Sequence, residues 1–104
     1  MLNILPDSVK GACIVGKTGV LIIDDSAAVR SILTRELSAY EEITVTGTAG
    51  SPYAAREAVE RGDFDVVILD SDMPRLDGPA FIGILAERRP VPVIVILSLL
   101  HFSE

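Results

Sequence analysis

Aromatic residues are scarce in this sequence of 104 residues, which has no tryptophan, two tyrosines and three phenylalanines. A packed core therefore has to be built from Val, Ile, Leu and Ala, the residues that fill strands covered by helices on both faces. Hydrophobic residues make up 49% of the chain, which is long enough for one such core and too short for a catalytic domain beside a regulatory one. We expect a single α/β domain.

Cysteine and histidine each occur once, as Cys13 and His101. A lone cysteine excludes an internal disulfide, and two isolated residues do not form a zinc site. Long hydrophobic runs are also missing. Residues 1–20 lack the continuous apolar stretch of a signal peptide, and the longest apolar run, residues 91–100, is too short to span a bilayer. We expect a cytoplasmic protein that does not enter a membrane.

Positive charge is in deficit, because nine basic residues face fifteen acidic ones and the formal net charge is −6. The basic residues do not cluster along the chain. No basic patch therefore offsets the repulsion from a nucleic acid backbone or an anionic membrane surface, and neither is expected as a partner.

From residue 20 onward the sequence alternates short β-branched runs with helical patterns, which is typical of βαβ units around a parallel sheet. Ser26, Ser51 with Pro52, and Pro79 mark the starts of the helices. Right-handed crossovers place helices on both faces of such a sheet, and the carboxyl ends of its strands meet at one edge. Strands are predicted at Val20–Ile23, Ile43–Gly47, Phe64–Leu69 and Val91–Leu97.

The helical patterns differ in the side chains that they place on one face. The second, which stops at Gly62, presents mostly alanine, and the third directs Phe81, Ile82 and Leu85 inward. The first helix has an apolar face made of Val29, Ile32, Leu33, Leu37 and Tyr40.

Three carboxylates follow two of the buried strands. Asp24 and Asp25 come directly after the first strand and Asp70 follows the third, so they are expected to converge. Like charges at the end of a low-dielectric sheet raise one another's pKa unless a cation neutralises them, and Mg²⁺ prefers oxygen ligands. The cluster therefore predicts a divalent metal site. In the alternative without a metal, Asp25 and Ser26 cap the helix, Asp24 is solvated and Asp70 begins a turn.

Two stretches carry a resemblance to a known family. Residues 21–26 read Leu-Ile-Ile-Asp-Asp-Ser, and residues 66–78 read Val-Val-Ile-Leu-Asp-Ser-Asp-Met-Pro-Arg-Leu-Asp-Gly. The acidic pair, the strand-end aspartate and the Met-Pro-x-x-Asp-Gly loop resemble the receiver domain of two-component response regulators, over residues 20 to about 98. With residues 45–49 and 88–93, they are most similar to the receiver half of chemotaxis protein-glutamate methylesterases.

This resemblance implies a flavodoxin-like three-layer sandwich with a parallel sheet in the strand order 2-1-3-4. The fifth strand and the last helices of the family have no counterpart in the sequence, and neither does the methylesterase half. We expect an incomplete receiver domain over residues 20–104 that is not an enzyme. Residues 1–19 would precede it as an N-terminal arm or an extra strand.

The resemblance also implies residue roles. Asp70 would accept a phosphoryl group from a histidine kinase and form an acyl phosphate. Asp25 and Asp70 would bind Mg²⁺ directly, Asp24 would act through water, and the backbone carbonyl of Asp72 would complete the protein's share of the ligands.

Two functional positions of the family are altered. The Ser or Thr that ends the family's fourth strand aligns with Leu97, and Ser98 follows one residue later, on the opposite face of a regular strand. Both are candidates for the switch position. Cys13–Lys17 resembles the missing fifth strand with its terminal lysine, but two residues are too few to return the chain to a parallel first strand. Lys17 is therefore a candidate only for completing the site of a second chain.

The fourth strand would expose an apolar edge, which favours pairing with another chain. We expect a homodimer or a strand exchange through this edge. Two other functions remain open. One is a degenerate receiver that acts as a dimerisation or docking module without phosphorylation. The other is a nucleotide site, since residues 11–18 satisfy G-x-x-x-x-G-K-[ST], although that motif needs a helix directly after it.

Overall fold

The structure is a computed structural model that describes residues 17–96. Four strands alternate with three helices, as the sequence predicts. Each of the first three strands is followed by a helix that returns the chain to the start of the next strand. In chain order the elements are β1 (Thr18–Ile23), α1 (Ala27–Ser38), β2 (Ile43–Ala49), α2 (Pro52–Arg61), β3 (Val66–Asp70), α3 (Gly78–Arg88) and β4 (Val93–Ile96).

The strands form one sheet in the order β2-β1-β3-β4, and all three neighbouring pairs are parallel. This confirms the predicted strand order. Strand β1 lies in the middle of the sheet, and its pairing with β3 runs from Val20 opposite Val66 to Ile23 opposite Leu69. All six residues of β1 are buried. The carboxyl ends of β1 and β3 consequently lie side by side.

Each helix begins with a side chain that caps its first turn. Ser26 Oγ accepts from the Val29 amide at 3.2 Å, and Ser51 Oγ accepts from the Ala54 amide at 3.1 Å. The Asp77 carboxylate caps α3 in the same way, so this helix begins at Gly78, one residue before the predicted Pro79. These caps satisfy amides that have no partner within the helix.

The core is divided by the sheet into two clusters. On the face covered by α2 and α3, Leu21, Ile23, Val67 and Leu69 pack with residues of both helices. The predicted alanine face of α2 is buried through Ala55 and Ala58, with Val59, and the predicted inward residues of α3 join this cluster: Phe81, Ile82 and Leu85.

The second cluster lies under α1, where Leu33 and Leu37 pack against Val20, Ile22, Ile43 and Ile68. Only part of the predicted apolar face of α1 takes part in this contact. Ile32 is 49% exposed because it lies one residue, or about 100°, away from the line that Leu33 and Leu37 direct at the sheet. Tyr40 is 45% exposed and lies beyond the end of the helix.

Strand boundaries differ from the predicted ones by up to two residues. β3 begins at Val66 rather than Phe64, since Asp65 accepts a hydrogen bond from the Gly19 amide through its side chain, at 2.7 Å. Phe64 is nevertheless buried, and its carbonyl accepts a hydrogen bond from the Arg89 guanidinium at 2.8 Å. Within residues 17–96, no helix combines the length and apolar character needed to cross a membrane.

Gly62 ends α2 in the left-handed conformation, at φ 68°. A side chain strains this conformation, so Gly62→Ala is expected to lower the free energy of unfolding by about 1 kcal/mol. Gly83→Ala is the matched control, because a Cβ at Gly83, inside α3, meets no atom within 4 Å. That variant should be more stable by about 0.5–1 kcal/mol. Urea denaturation measures both, and equal stabilities for the two variants would contradict the assigned backbone conformation.

Candidate functional site

The site is built by the ends of two neighbouring strands. Ile23 of β1 lies opposite Leu69 of β3, so the residues that follow them, Asp24 and Asp70, are placed side by side. Asp25 comes next in the turn into α1. One carboxylate oxygen from each of the three aspartates lies within 4.8 Å of the others. The predicted convergence is therefore present in the structure.

Burial differs among the three carboxylates. Asp24 and Asp70 are 6% and 7% exposed, whereas Asp25 faces solvent. Burial raises the pKa of Asp24 above its ordinary value of 3.8, and the negative charges of Asp70 and Asp25 raise it further. A hydrogen bond from the Ser26 amide and the positive charge of Arg30 oppose this rise. The cluster thus holds negative charge in a place that solvates it poorly.

Hydrogen bonds fix Asp24 from three directions. Its amide donates to the Ala49 carbonyl of β2 at 3.0 Å, and its carboxylate accepts from the Ser26 amide at 2.8 Å. Its own carbonyl accepts from Nη1 of Arg30 at 2.8 Å. The turn from β1 to α1 is therefore bound both to the neighbouring strand and to the helix that follows it.

Asp70 is held by the loop that it begins. Its carboxylate accepts from the Asp72 amide at 3.0 Å, and the Ser71 amide donates to the Ile96 carbonyl of β4 at 3.0 Å. Met73, which is 5% exposed, belongs to the core cluster and anchors the loop. The loop between β3 and α3 is thereby drawn toward the same edge of the sheet.

These residues fit a divalent metal. The three carboxylates provide oxygen atoms alone, which is the donor type that hard cations such as Mg²⁺ prefer. A cation would also offset the negative charges of Asp70 and Asp25, which add to the rise that burial causes in the pKa of Asp24. Asp25 is exposed, so the cluster is open to solvent on that side.

The remaining predicted residues fall elsewhere. Lys17 is exposed and precedes β1, so it lies about 20 Å from the carboxyl end of that strand at about 3.3 Å per residue. It does not reach the carboxylates of its own chain. Thr18 begins a strand, so the helix that a nucleotide-binding G-x-x-x-x-G-K-[ST] loop requires does not follow it. The rest of that motif, the switch candidates Leu97 and Ser98, Cys13 and His101 lie outside the described residues.

Two residues beside the carboxylate cluster were not predicted from the sequence. They are Arg30, which bonds to the Asp24 carbonyl, and Gly50, against which the Arg30 guanidinium lies. Arg30 lies one turn into α1, and its guanidinium returns to the end of β1. Its spacing of four residues from the capping Ser26 placed it on the side of the helix that faces the strand end. That signal does not distinguish it from an ordinary exposed arginine.

The fold and the carboxylate cluster define an α/β protein with an acidic site at the carboxyl edge of its parallel sheet. The family profile described as the response regulator receiver domain matches residues 20–102. The chain therefore belongs to the response regulator receiver domain family, as the resemblance in its motifs predicted.

Curated relatives share most of this chain. The protein-glutamate methylesterase/protein-glutamine glutaminase 2 of Syntrophus aciditrophicus (strain SB) is 46% identical over 83 residues, which are 80% of this chain and 24% of that protein. The protein-glutamate methylesterase/protein-glutamine glutaminase 4 of Anaeromyxobacter dehalogenans (strain 2CP-C) is 49% identical over 80 residues, which are 77% of this chain and 22% of that protein. The chain spans about a quarter of the length of these relatives.

Solved structures agree with this family assignment. The response regulator domain of Thermotoga maritima CheB is similar with a TM-score of 0.72 and 30% identity, over 80% of this chain and 62% of that one. A chain of the CheX-CheY-BeF3-Mg+2 complex from Borrelia burgdorferi is similar with a TM-score of 0.68 and 29% identity, over 83% and 66%.

The raised pKa of Asp24 makes stability depend on pH. Below pH 3.8 the Asp24 carboxyl group is mainly protonated in both the folded and the unfolded chain, so it places no charge in the folded protein and does not lower the free energy of unfolding. As the pH rises through the higher pKa of the folded state, burying the charge lowers the free energy of unfolding. Without divalent cations, Asp24→Asn should therefore be more stable than the wild type at neutral pH, with the difference shrinking as the pH falls.

Urea denaturation at several pH values in the presence of a chelator measures this difference. The control is Asp63→Asn, at an exposed aspartate near the start of β1, at the end of the sheet opposite to the carboxylate cluster. A wild type that is more stable than Asp24→Asn at neutral pH would contradict the account.

Proposed function

We propose that this chain is a phosphoryl acceptor in two-component signalling, with Asp70 as the acceptor, a histidine kinase as the donor and Mg²⁺ as the cofactor. The observation that carries the proposal is the convergence of Asp24, Asp25 and Asp70 within 4.8 Å at adjoining strand ends. Membership of the receiver family and the similarity to the response regulator domain of CheB and to a chain of the CheX-CheY complex support it. We place this activity in the cytoplasm.

The proposed step is a phosphoryl transfer. An oxygen of the ionised Asp70 carboxylate forms a bond to phosphorus, and the bond from phosphorus to the imidazole nitrogen of the donor phosphohistidine breaks. The nitrogen leaves with the electron pair and is left as a histidine, which takes a proton from solvent. The Asp72 amide, which donates to the Asp70 carboxylate at 3.0 Å, holds the carboxylate in place.

Four residues would hold the metal. Asp25 and Asp70 would bind it directly, the Asp72 carbonyl would add a third protein oxygen, and Asp24 would act through water. When bound, Mg²⁺ supplies positive charge that offsets the carboxylates and the phosphoryl oxygens. The fixed backbone of Asp24, bonded to Ala49 and Arg30, keeps the acidic pair aligned with Asp70.

We also propose that a second copy of the chain pairs with β4. Within residues 17–96, the outer side of β4 borders no further strand, and Ile94 and Val95 are 52% and 49% exposed. Such an apolar edge favours strand pairing. In this arrangement Lys17 of one chain would complete the site of the other.

Light scattering tests the pairing, since a dimer mass would support it and a monomer mass would contradict it.

Phosphorylation is tested with Mg²⁺ and acetyl phosphate, followed by intact mass measurement. The wild type should gain one phosphoryl group that hydroxylamine removes, and the gain should disappear in Asp70→Asn and on chelation of the metal. Asp63→Asn is the control, because this exposed aspartate lies away from the site, near the start of β1, and this variant should keep the adduct. An adduct that persists in Asp70→Asn would contradict the proposal. Mg²⁺ binding with no adduct would instead favour a docking module that is not phosphorylated.

A further inference from the structure

Arg30 is a half-buried residue of α1 whose guanidinium lies where two strand-end loops meet. Its Nη1 donates to the Asp24 carbonyl at 2.8 Å, in the turn after β1. The same guanidinium covers Gly50, the residue that follows β2. A Cβ built on Gly50 would lie 2.5 Å from Nη1, 3.0 Å from Cζ and 3.3 Å from Nη2 of Arg30.

The two loops are connected at a second point. The Asp24 amide donates to the carbonyl of Ala49, which directly precedes Gly50. The peptide groups on both sides of Asp24 are therefore bonded, one to β2 and the other to Arg30. This residue carries one of the two buried carboxylates and leads directly into Asp25, so its backbone sets the direction of both side chains.

Arg30 acts here as a hydrogen-bond donor to the main chain. Within residues 17–96, the ion pairs that form are Arg35 with Glu36 and Arg88 with Glu60, and both are exposed. The guanidinium has several N–H donors in one plane and keeps its charge at any ordinary pH, whereas a lysine ammonium is a compact point charge. A flat group of this kind fits over Gly50 because Gly50 has no side chain.

We propose that Arg30 is a positioning residue of the acidic site, which holds the Asp24 carbonyl so that Asp24 and Asp25 face Asp70, and that Gly50 is required to admit its guanidinium. The inference rests on the metal-binding part of the proposed function. Residues that orient metal ligands without touching the metal typically account for 10- to 100-fold of metal affinity. Loss of the Arg30 contact should weaken Mg²⁺ binding by about this factor.

Gly50→Ala is expected to displace the Arg30 guanidinium without removing its positive charge, so it tests the position of the group apart from its charge. The new Cβ occupies the place of the guanidinium, and the flexible end of the side chain has to move away while the positive charge remains. Arg35→Ala is the matched control, because it removes an arginine from an exposed part of the same helix. Arg30→Lys keeps a charge at the site but replaces the planar group.

The experiment is calorimetric titration of the 104-residue chain with Mg²⁺ at fixed pH, alongside urea denaturation without the metal. Arg30→Ala and Gly50→Ala should each weaken Mg²⁺ binding by about 10- to 100-fold, Arg30→Lys should not restore it, and Arg35→Ala should stay within about 2-fold of the wild type. The double variant Arg30→Ala/Gly50→Ala should bind like Arg30→Ala alone, because both changes act through one contact.

Wild-type affinity in Gly50→Ala, a loss in Arg35→Ala equal to that in Arg30→Ala, or additive losses in the double variant would each overturn the inference. If Arg30→Ala does not fold, Gly50→Ala decides alone. A wild type that binds Mg²⁺ but gains no phosphoryl group would overturn the phosphoryl-acceptor function, while the Mg²⁺ affinity ratios would still decide the role of Arg30. A wild type that binds no Mg²⁺ would overturn both.

Discussion

The parallel pairing of β1 with β3 is the constraint on which the site depends. Its register places Ile23 opposite Leu69, so the next residues of the two strands are forced together although 45 positions separate Asp24 from Asp70 in the chain. The apolar residues of β1 are buried on both faces, and a shift of one residue would turn each of them to the opposite face. The core thereby fixes which carboxylates meet.

This arrangement has an electrostatic cost. Burial raises the pKa of Asp24, and the negative charges of Asp70 and Asp25 raise it further. The same repulsion favours separation of the two strand ends. Two hydrogen bonds hold Asp24 in place against that repulsion: its amide donates to the Ala49 carbonyl, and the Arg30 side chain donates to its carbonyl. A cluster of buried like charges is typical of a functional site rather than of a stabilising one.

Much of this could be predicted from the sequence, because the strand ends follow from the hydrophobic pattern, and the strand order follows from the resemblance to the receiver family. Asp24, Asp25 and Asp70 were found in this way. The contact of Arg30 with Gly50 was not, since it depends on the path of a long side chain between two loops. The exposure of Ile32 was missed as well, because the apolar pattern of α1 does not tell which of its residues face the sheet, and Leu33 and Leu37 do so. The hydrogen bond from the Gly19 amide to the Asp65 carboxylate, which shifts the start of β3, also joins distant positions.

The central claim is that Asp24, Asp25 and Asp70 form one metal-dependent phosphoryl site. A crystal structure of the chain with Mg²⁺ and beryllofluoride, the phosphate mimic present with Mg²⁺ in the similar CheX-CheY complex, tests it most directly. The account predicts Mg²⁺ bonded to Asp25 and Asp70, with beryllofluoride on a carboxylate oxygen of Asp70. Beryllofluoride on another residue, or Mg²⁺ bound away from these aspartates, would contradict it.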